Sequence, residues 1–424
     1  MSKYIVNSIE EQQEMLDELG YASFEELFRA AGVKSTPQLS IPEGKTEFEA
    51  YSELAALAGE NHVFRHVFRG AGSYKHYIPS VVKNIVSRNE FVTAYTPYQA
   101  EVSQGILQGI FEYQSEMCEL TGMDVSNASV YDGATAAAEA VMMCVDRKHH
   151  KILVSRAINP EYRKVIKTYH QFSDDIVIEE VGPEYEVTED VAGVFVQYPD
   201  FFGNIPDLAR IKEKIGSAKL VVIANPVALG ILEAPGNLGA DIVVGEGQQL
   251  GMPMSFGGPY LGFMCAKNEL VRKLPGRIVG QTVDKDGKRC YTLTLQAREQ
   301  HIRREKASSS ICSNEALCAF TAAVYLAAVG PKGLREVADT SFQLAHYLSE
   351  KLNEIGLTTV NKGEFFNEFV TECPVDAKVL MKHLYEKDIL PGLLLSNNRI
   401  LWCTTEVNNR QEIDWLVDVI KEVL

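Results

Sequence analysis

The chain has 424 residues, with 57 acidic against 41 basic side chains and a formal charge of −16. That balance argues against nucleic acid, whose phosphates demand a net basic face, and no apolar run reaches the ~18 residues of a spanning helix. A hydrophobic share of 46% and a charged share of 23% are those of an ordinary globular protein, long enough for two domains plus an arm.

The opening MSKYIVNSIEEQQEMLDELG is acidic and amphipathic, unlike a signal or transit peptide. Residues 1–68 read as a helical arm. Glu10–Leu19 and Phe48–Ala58 are its amphipathic helices, and a Pro-marked segment, Thr36–Gly44, joins them. Gly70, Gly72 and Pro79 punctuate the entry to the main domain, and Ile78–Val86 looks helical. Next comes the most informative stretch, TAYTPYQAEVSQG over Thr93–Gly105. Pro97 fixes its own φ and pushes Thr96 toward an extended conformation, so Tyr95, Thr96 and Tyr98 sit in a stiff loop with Gln99. A helix with the stripe Val102, Ile106, Ile110, Tyr113, Met117 and Leu120 follows. Such a loop suits a site wall, or is a surface turn whose tyrosines merely pack.

From about 99 to 265 helices alternate with short apolar strands: Ile152–Ser155, Ile176–Glu179, Gly193–Gln197, Leu220–Ala224, Asp241–Gly245 and Leu261–Ala266. Pro160–His170 and Pro206–Ile215 are helices between them. This alternation predicts a mostly parallel sheet covered on both faces. The helix Asn314–Val329 stops at Gly330 and Pro331. A second, Leu334–Ile355, leads into a compact α+β end: strands at Thr359–Val360, Glu368–Thr371 and Ile400–Thr404, helices at Val375–Lys387 and Gln411–Val423. The expected division is an arm (1–68), a large α/β domain (69–333) and a small C-terminal α+β domain (334–424). Eight cysteines lie singly, which reads as reduced thiols in a cytoplasm and not as a metal or disulfide framework. Cys312 and Cys318 come nearest to a cluster, on one presumed helix. Arg298, His301, Arg303, Arg304 and Lys306 crowd together, either as a solvated face matched by Glu299 and Glu305 or as an anion site.

The loop Thr93–Gly105, with NASVYDGATAAAEA (Asn127–Ala140) and REQHIRREKASSSIC (Arg298–Cys312), resembles the P-protein family of the glycine cleavage system. The likeness is to the N-terminal half of its long form, which many bacteria make as a separate subunit. The resemblance implies the type I, aspartate-aminotransferase-like fold of pyridoxal-phosphate (PLP) enzymes. It also implies a partner subunit 2 that carries PLP, assembly to a heterotetramer, decarboxylation of glycine, and transfer of the aminomethyl group to the lipoyl arm of the H-protein.

That fold needs a helix N-terminus for the phosphate, a carboxylate at the pyridine nitrogen, and a lysine for the aldehyde. Tyr131–Thr135, with Thr135 as a weak cofactor-binding candidate, offers the first, or is an ordinary loop-to-helix junction. Asn225 stands where the carboxylate should be, and an amide cannot supply its charge. No lysine lies between Lys219 and Lys267, and the expected position reads Glu246-Gly247-Gln248-Gln249. The chain is therefore expected to carry no catalytic residue of its own, no metal and no covalent PLP, and to be inactive alone. Tyr95, Thr96, Tyr98 and Gln99 are candidates for the wall of a partner's active site, and Arg298, His301, Arg303 and Arg304 for an anion contact there.

Overall fold

The computed structural model describes residues 6–34, 40–307, 309–311, 314–396 and 398–424. They divide into two compact units, Met1–Val63 and Phe64–Leu424. The first holds three helices, α1 (Ile9–Glu18), α2 (Phe24–Ala30) and α3 (Glu47–Gly59), whose N-termini are capped by the Ser8, Ser23 and Thr46 hydroxyls. Helix α2 was not expected, because its seven residues carry too short a periodic pattern. The expected linker Thr36–Gly44 lies partly outside the described residues.

The second unit is built on a seven-stranded sheet. Its strands are β1 (Val125–Ser126), β2 (Lys151–Ser155), β3 (Val177–Val181), β4 (Val191–Tyr198), β5 (Lys219–Ala224), β6 (Ile242–Glu246) and β7 (Gly262–Ala266). The spatial order is β1-β7-β6-β5-β4-β2-β3. Strands β2 to β6 pair in parallel, with Val194 opposite Leu220 and Val222 opposite Val243; β7 runs antiparallel to β6. Their near-continuous Val, Ile and Leu follow from burial on both faces. One face meets a core that includes Val222, Val243 and Tyr325, and the other a core that includes Val221, Val244 and Ala137.

Around the sheet lie α4 (Ser80–Val86), α5 (Gln104–Thr121), α6 (Gly133–Cys144), α7 (Pro160–His170) and α8 (Leu208–Ile215). The loop preceding α5 ends later than the apolar stripe suggested. Val102 sits ahead of the helix and is 80% exposed, while Leu107, Ile110, Tyr113 and Met117 are buried. A hairpin, β8 (Ile278–Val283) with β9 (Arg289–Thr294), follows the sheet. It was not expected, although Asp286-Gly287 at its turn is a hairpin signal.

Helix α9 runs Ala316–Glu354 but breaks at Gly330, whose φ of 62° and ψ of 179° leave the helical region. The expected stop before Pro331 is therefore correct. By length and composition alone α9 could cross a membrane. It is broken midway, and Cys318, Ala319, Ala322 and Tyr325 bury it in the sheet's core. A four-stranded antiparallel sheet follows, in the order β10-β11-β13-β12, from β10 (Thr358–Thr359), β11 (Glu368–Glu372), β12 (Leu393–Leu395) and β13 (Arg399–Cys403). Helices α10 (Ala377–Glu386) and α11 (Arg410–Lys421) help to close its core around Trp402 and Phe369.

Candidate functional site

The carboxyl ends of β5 and β6, facing the start of α6, are where an open α/β sheet receives a ligand. Helix α6 begins in a capping box. Asp132 Oδ1 accepts from the Thr135 amide at 2.7 Å, and Thr135 Oγ1 in turn accepts from the Asp132 amide and donates to the Asp132 carbonyl. The polar groups of Thr135 are thus engaged in the cap. The free amide of Gly133 is met by the chain's own Glu246, whose Oε2 accepts from it at 3.0 Å. Glu246 Oε1 accepts from the amides of Gln248 and Leu261, each at 2.9 Å. A side chain at 133 would collide with Tyr162 Oη and the Glu246 backbone, which is why glycine stands there. Burial pushes the Glu246 carboxyl up to about 7, against the pull of its three N–H donors.

A cavity of about 30 Å³ remains beside it, lined among others by Tyr74, Tyr162, Gln197, Asn225 and Gln249. That is room for about one water. Asn225 does end β5, and its Oδ1 caps the next turn by accepting from Val227 and Ala228. Lys267 lies at the opposite end of the strands, bonded to Asp241 at 3.0 Å, roughly 15 Å of strand from Glu246. These residues do not fit a pyridoxal phosphate. The Gly133 amide is taken by a carboxylate, a cavity of about 30 Å³ has no space for the ring, and among the described residues Lys267, the lysine that follows these strands, is turned to the other end of the sheet.

A second, roomier cavity of about 300 Å³ opens under the Thr93–Gln99 loop. Tyr95, Thr96 and Pro97 form one side, and Leu317 and Phe320 of α9 the other. The Tyr98 amide donates to the Thr96 carbonyl at 2.8 Å, which folds the chain tightly around Pro97. Tyr95 is 84% exposed and Tyr98 52%; Gln99 is also exposed.

The structure brings part of the basic segment to this loop. The His301 ring meets Tyr98 edge-on with centroids 6.3 Å apart, and His301 Nδ1 is 3.4 Å from Glu299. Arg298 turns inward and donates to the carbonyls of Gly276 (2.7 Å) and Leu295 (3.1 Å); burial holds its pKa below the ordinary arginine value. Arg303 donates from Nε to the Ala297 carbonyl, and Arg304, at a φ of 55°, is exposed. Cys312 of this motif lies outside the described residues, and the helix carrying Cys318 starts only at Ala316, so no pair on one helix is seen. Burial pushes the Cys144 and Cys318 thiols up to about 12, the profile of inert thiols. Among the described residues no three His, Cys, Asp or Glu side chains gather as metal ligands.

The sequence reading missed Arg277. It is 4% exposed, lines the same cavity, and donates from Nη2 to Tyr98 Oη at 3.3 Å. Its sequence signal is faint: an arginine at the entry to an apolar strand with no acidic neighbour. Two glutamines of α5 hold the hairpin that carries it. Gln114 exchanges both amide bonds with Val279, and Gln104 does the same with Tyr291.

A family model described as "Glycine cleavage system P-protein" matches residues 2–420. The chain belongs to the P-protein family of the glycine cleavage system. Relatives named "Probable glycine dehydrogenase (decarboxylating) subunit 1" match it along its length. The one from Thermotoga maritima is 48% identical and the one from Moorella thermoacetica 49%, each over 99% of both chains. Among solved structures, a glycine decarboxylase (P-protein) of the glycine cleavage system in inhibitor-bound form superposes with a TM-score of 0.93 at 42% identity, covering all of both chains. An aspartate aminotransferase from Thermus thermophilus superposes at 0.57 with 15% identity, over 85% of this chain and all of that one. The P-protein fold seen here is therefore the aspartate-aminotransferase-like fold of PLP enzymes.

Proposed function

We propose that this chain is subunit 1 of glycine dehydrogenase (decarboxylating), and that it serves the reaction as one wall of an active site whose PLP is carried by subunit 2. The observation that carries the proposal is Glu246, seated on the amide that the fold offers to a phosphate, in a span from 220 to 266 that contains no lysine. A chain that has filled its own coenzyme seat contributes across an interface. PLP supplies the electron sink for loss of CO2 from glycine. This chain's residues bound the space where that occurs, keep water out and leave a path for the lipoyl arm of the H-protein. Tyr95, Thr96, Tyr98 and Gln99 form the wall. Arg298, His301, Arg303 and Arg304 are the anion contact beside it, for an anionic group of the partner site or acidic residues of the H-protein. The reading includes an arm (1–68) that grips subunit 2, a large domain (69–333), a small domain (334–424), and a heterotetramer of two copies of each subunit in the cytoplasm.

The test is to purify the chain alone and together with subunit 2, then record visible absorbance with PLP and glycine–bicarbonate exchange. The expected result is no coenzyme band and no exchange alone, and both in the complex. A lysine adduct on the isolated chain, with turnover, would refute the proposal. Full activity of a complex carrying Tyr95→Ala would instead reduce the chain to a scaffold.

A further inference from the structure

The cavity under the Tyr95–Pro97 turn contains an unusual cation. Arg277 is over nine-tenths buried. Its guanidinium carbon lies 5.5 Å from the centroid of the Tyr98 ring, and Nη2 reaches Tyr98 Oη. Its Nε has no hydrogen-bond partner, and no carboxylate lies within ion-pair distance among the described residues. The remaining residues cannot supply one, because none of 1–5, 35–39, 308, 312, 313 and 397 is Asp or Glu. Glu315 lines the same cavity, but its carboxyl is pushed up by burial and by Asp132, and is not held down by a guanidinium. The nearby Glu299 carboxylate faces His301, and Arg298 adds a second positive charge on the adjacent Gly276 carbonyl.

A buried charge without a partner is strongly unfavourable, so folded proteins pair such groups with something. Here the pairing is incomplete within the chain, in a protein whose net charge is strongly negative. The open side of the arginine faces about 300 Å³ of space walled by Tyr95, Thr96, Pro97 and Phe320. A guanidinium has a fork of donors that suits carboxylate and phosphate alike. The stiff turn and the two-glutamine clamp on the hairpin fix where it stands.

We propose that this cavity is a subsite for a small oxyanion, a carboxylate or a phosphate, gripped by Arg277. The inference deepens the partner-wall reading and rests on it for the owner of the oxyanion, either the glycine carboxylate or the PLP phosphate. The experiment reconstitutes the complex with subunit 2 from Arg277→Met, Arg277→Gln and Tyr95→Ala chains, confirms assembly by size and light scattering, and measures two constants. These are the apparent Kd for PLP in the resolved complex and the KM for glycine in bicarbonate exchange. A rise of at least tenfold in the PLP Kd, with the glycine KM within twofold, assigns the phosphate; the reverse assigns the carboxylate. If Arg277→Met does not assemble, Arg277→Gln, which keeps a donor but no charge, is read in its place. Both constants within twofold, or a fall in kcat alone, overturn the subsite. Loss of exchange in Tyr95→Ala beside unchanged constants in the Arg277 variants would leave the partner-wall reading standing and this inference lost.

Discussion

Replacing Glu246 tests the filled coenzyme seat directly. Glu246→Ala strips the acceptor from three buried amides, those of Gly133, Gln248 and Leu261. Each orphaned donor costs about 1–3 kcal/mol. Two effects offset part of that. The carboxyl no longer has to be buried, a desolvation that outweighs its three donors and holds it at about 7. A water can also enter from the adjoining cavity of about 30 Å³. The net expectation is a loss of about 2–4 kcal/mol. Glu246→Gln keeps Oε1 for two amides and sets one NH2 against the Gly133 N–H, so it loses only about 1 kcal/mol. The assay is hydrogen exchange of the full chain, read by mass spectrometry over peptides spanning 130–136 and 246–262. Relative to wild type, protection should fall most in the alanine variant, less in the glutamine variant, and only over these segments. Unchanged protection in Glu246→Ala, with apparent stability within about 1 kcal/mol of wild type, would refute the reasoning.

Other consequences follow from the same geometry. Burial lifts Glu368 to about 7 while it accepts from the Ala71 amide and Tyr74 Oη. The unfolded carboxyl ionises first as pH rises, so the folded state loses relative stability between about 4.5 and 7 and is level above. Glu368→Gln should therefore gain on the wild type by roughly 2 kcal/mol between pH 5.5 and pH 8 in urea unfolding, and parallel curves would contradict the burial argument. Gly203→Ala should be severe, at least about 3 kcal/mol, because φ is +91° and a Cβ would lie 1.8 Å from the Glu368 carbonyl oxygen; a melting temperature within a degree of wild type would show the strand free to retreat. Inserting a lysine by Gln249→Lys should not yield a borohydride-fixed PLP adduct on the isolated chain while Glu246 remains, and mass spectrometry after reduction reads the result.

The sequence alone determined the alternation of strands and helices, because a parallel sheet buried on both faces needs near-continuous apolar runs. It also marked the loop-to-helix junction at Tyr131–Thr135 and the break at Gly330-Pro331, since junctions and breaks are written in adjacent residues; that Asp132 and Thr135 cap the helix there was left to the structure. The want of a lysine between 219 and 267 was legible for the same reason: an absence over a long span survives errors of a few residues in strand placement. Only the tertiary structure decided what replaces the missing groups. Glu246 meets Gly133 from 113 positions away, and Arg277 meets Tyr98 from 179. No periodicity or local propensity records such encounters, which arise when the sheet order and the α5–hairpin clamp set remote side chains against one another.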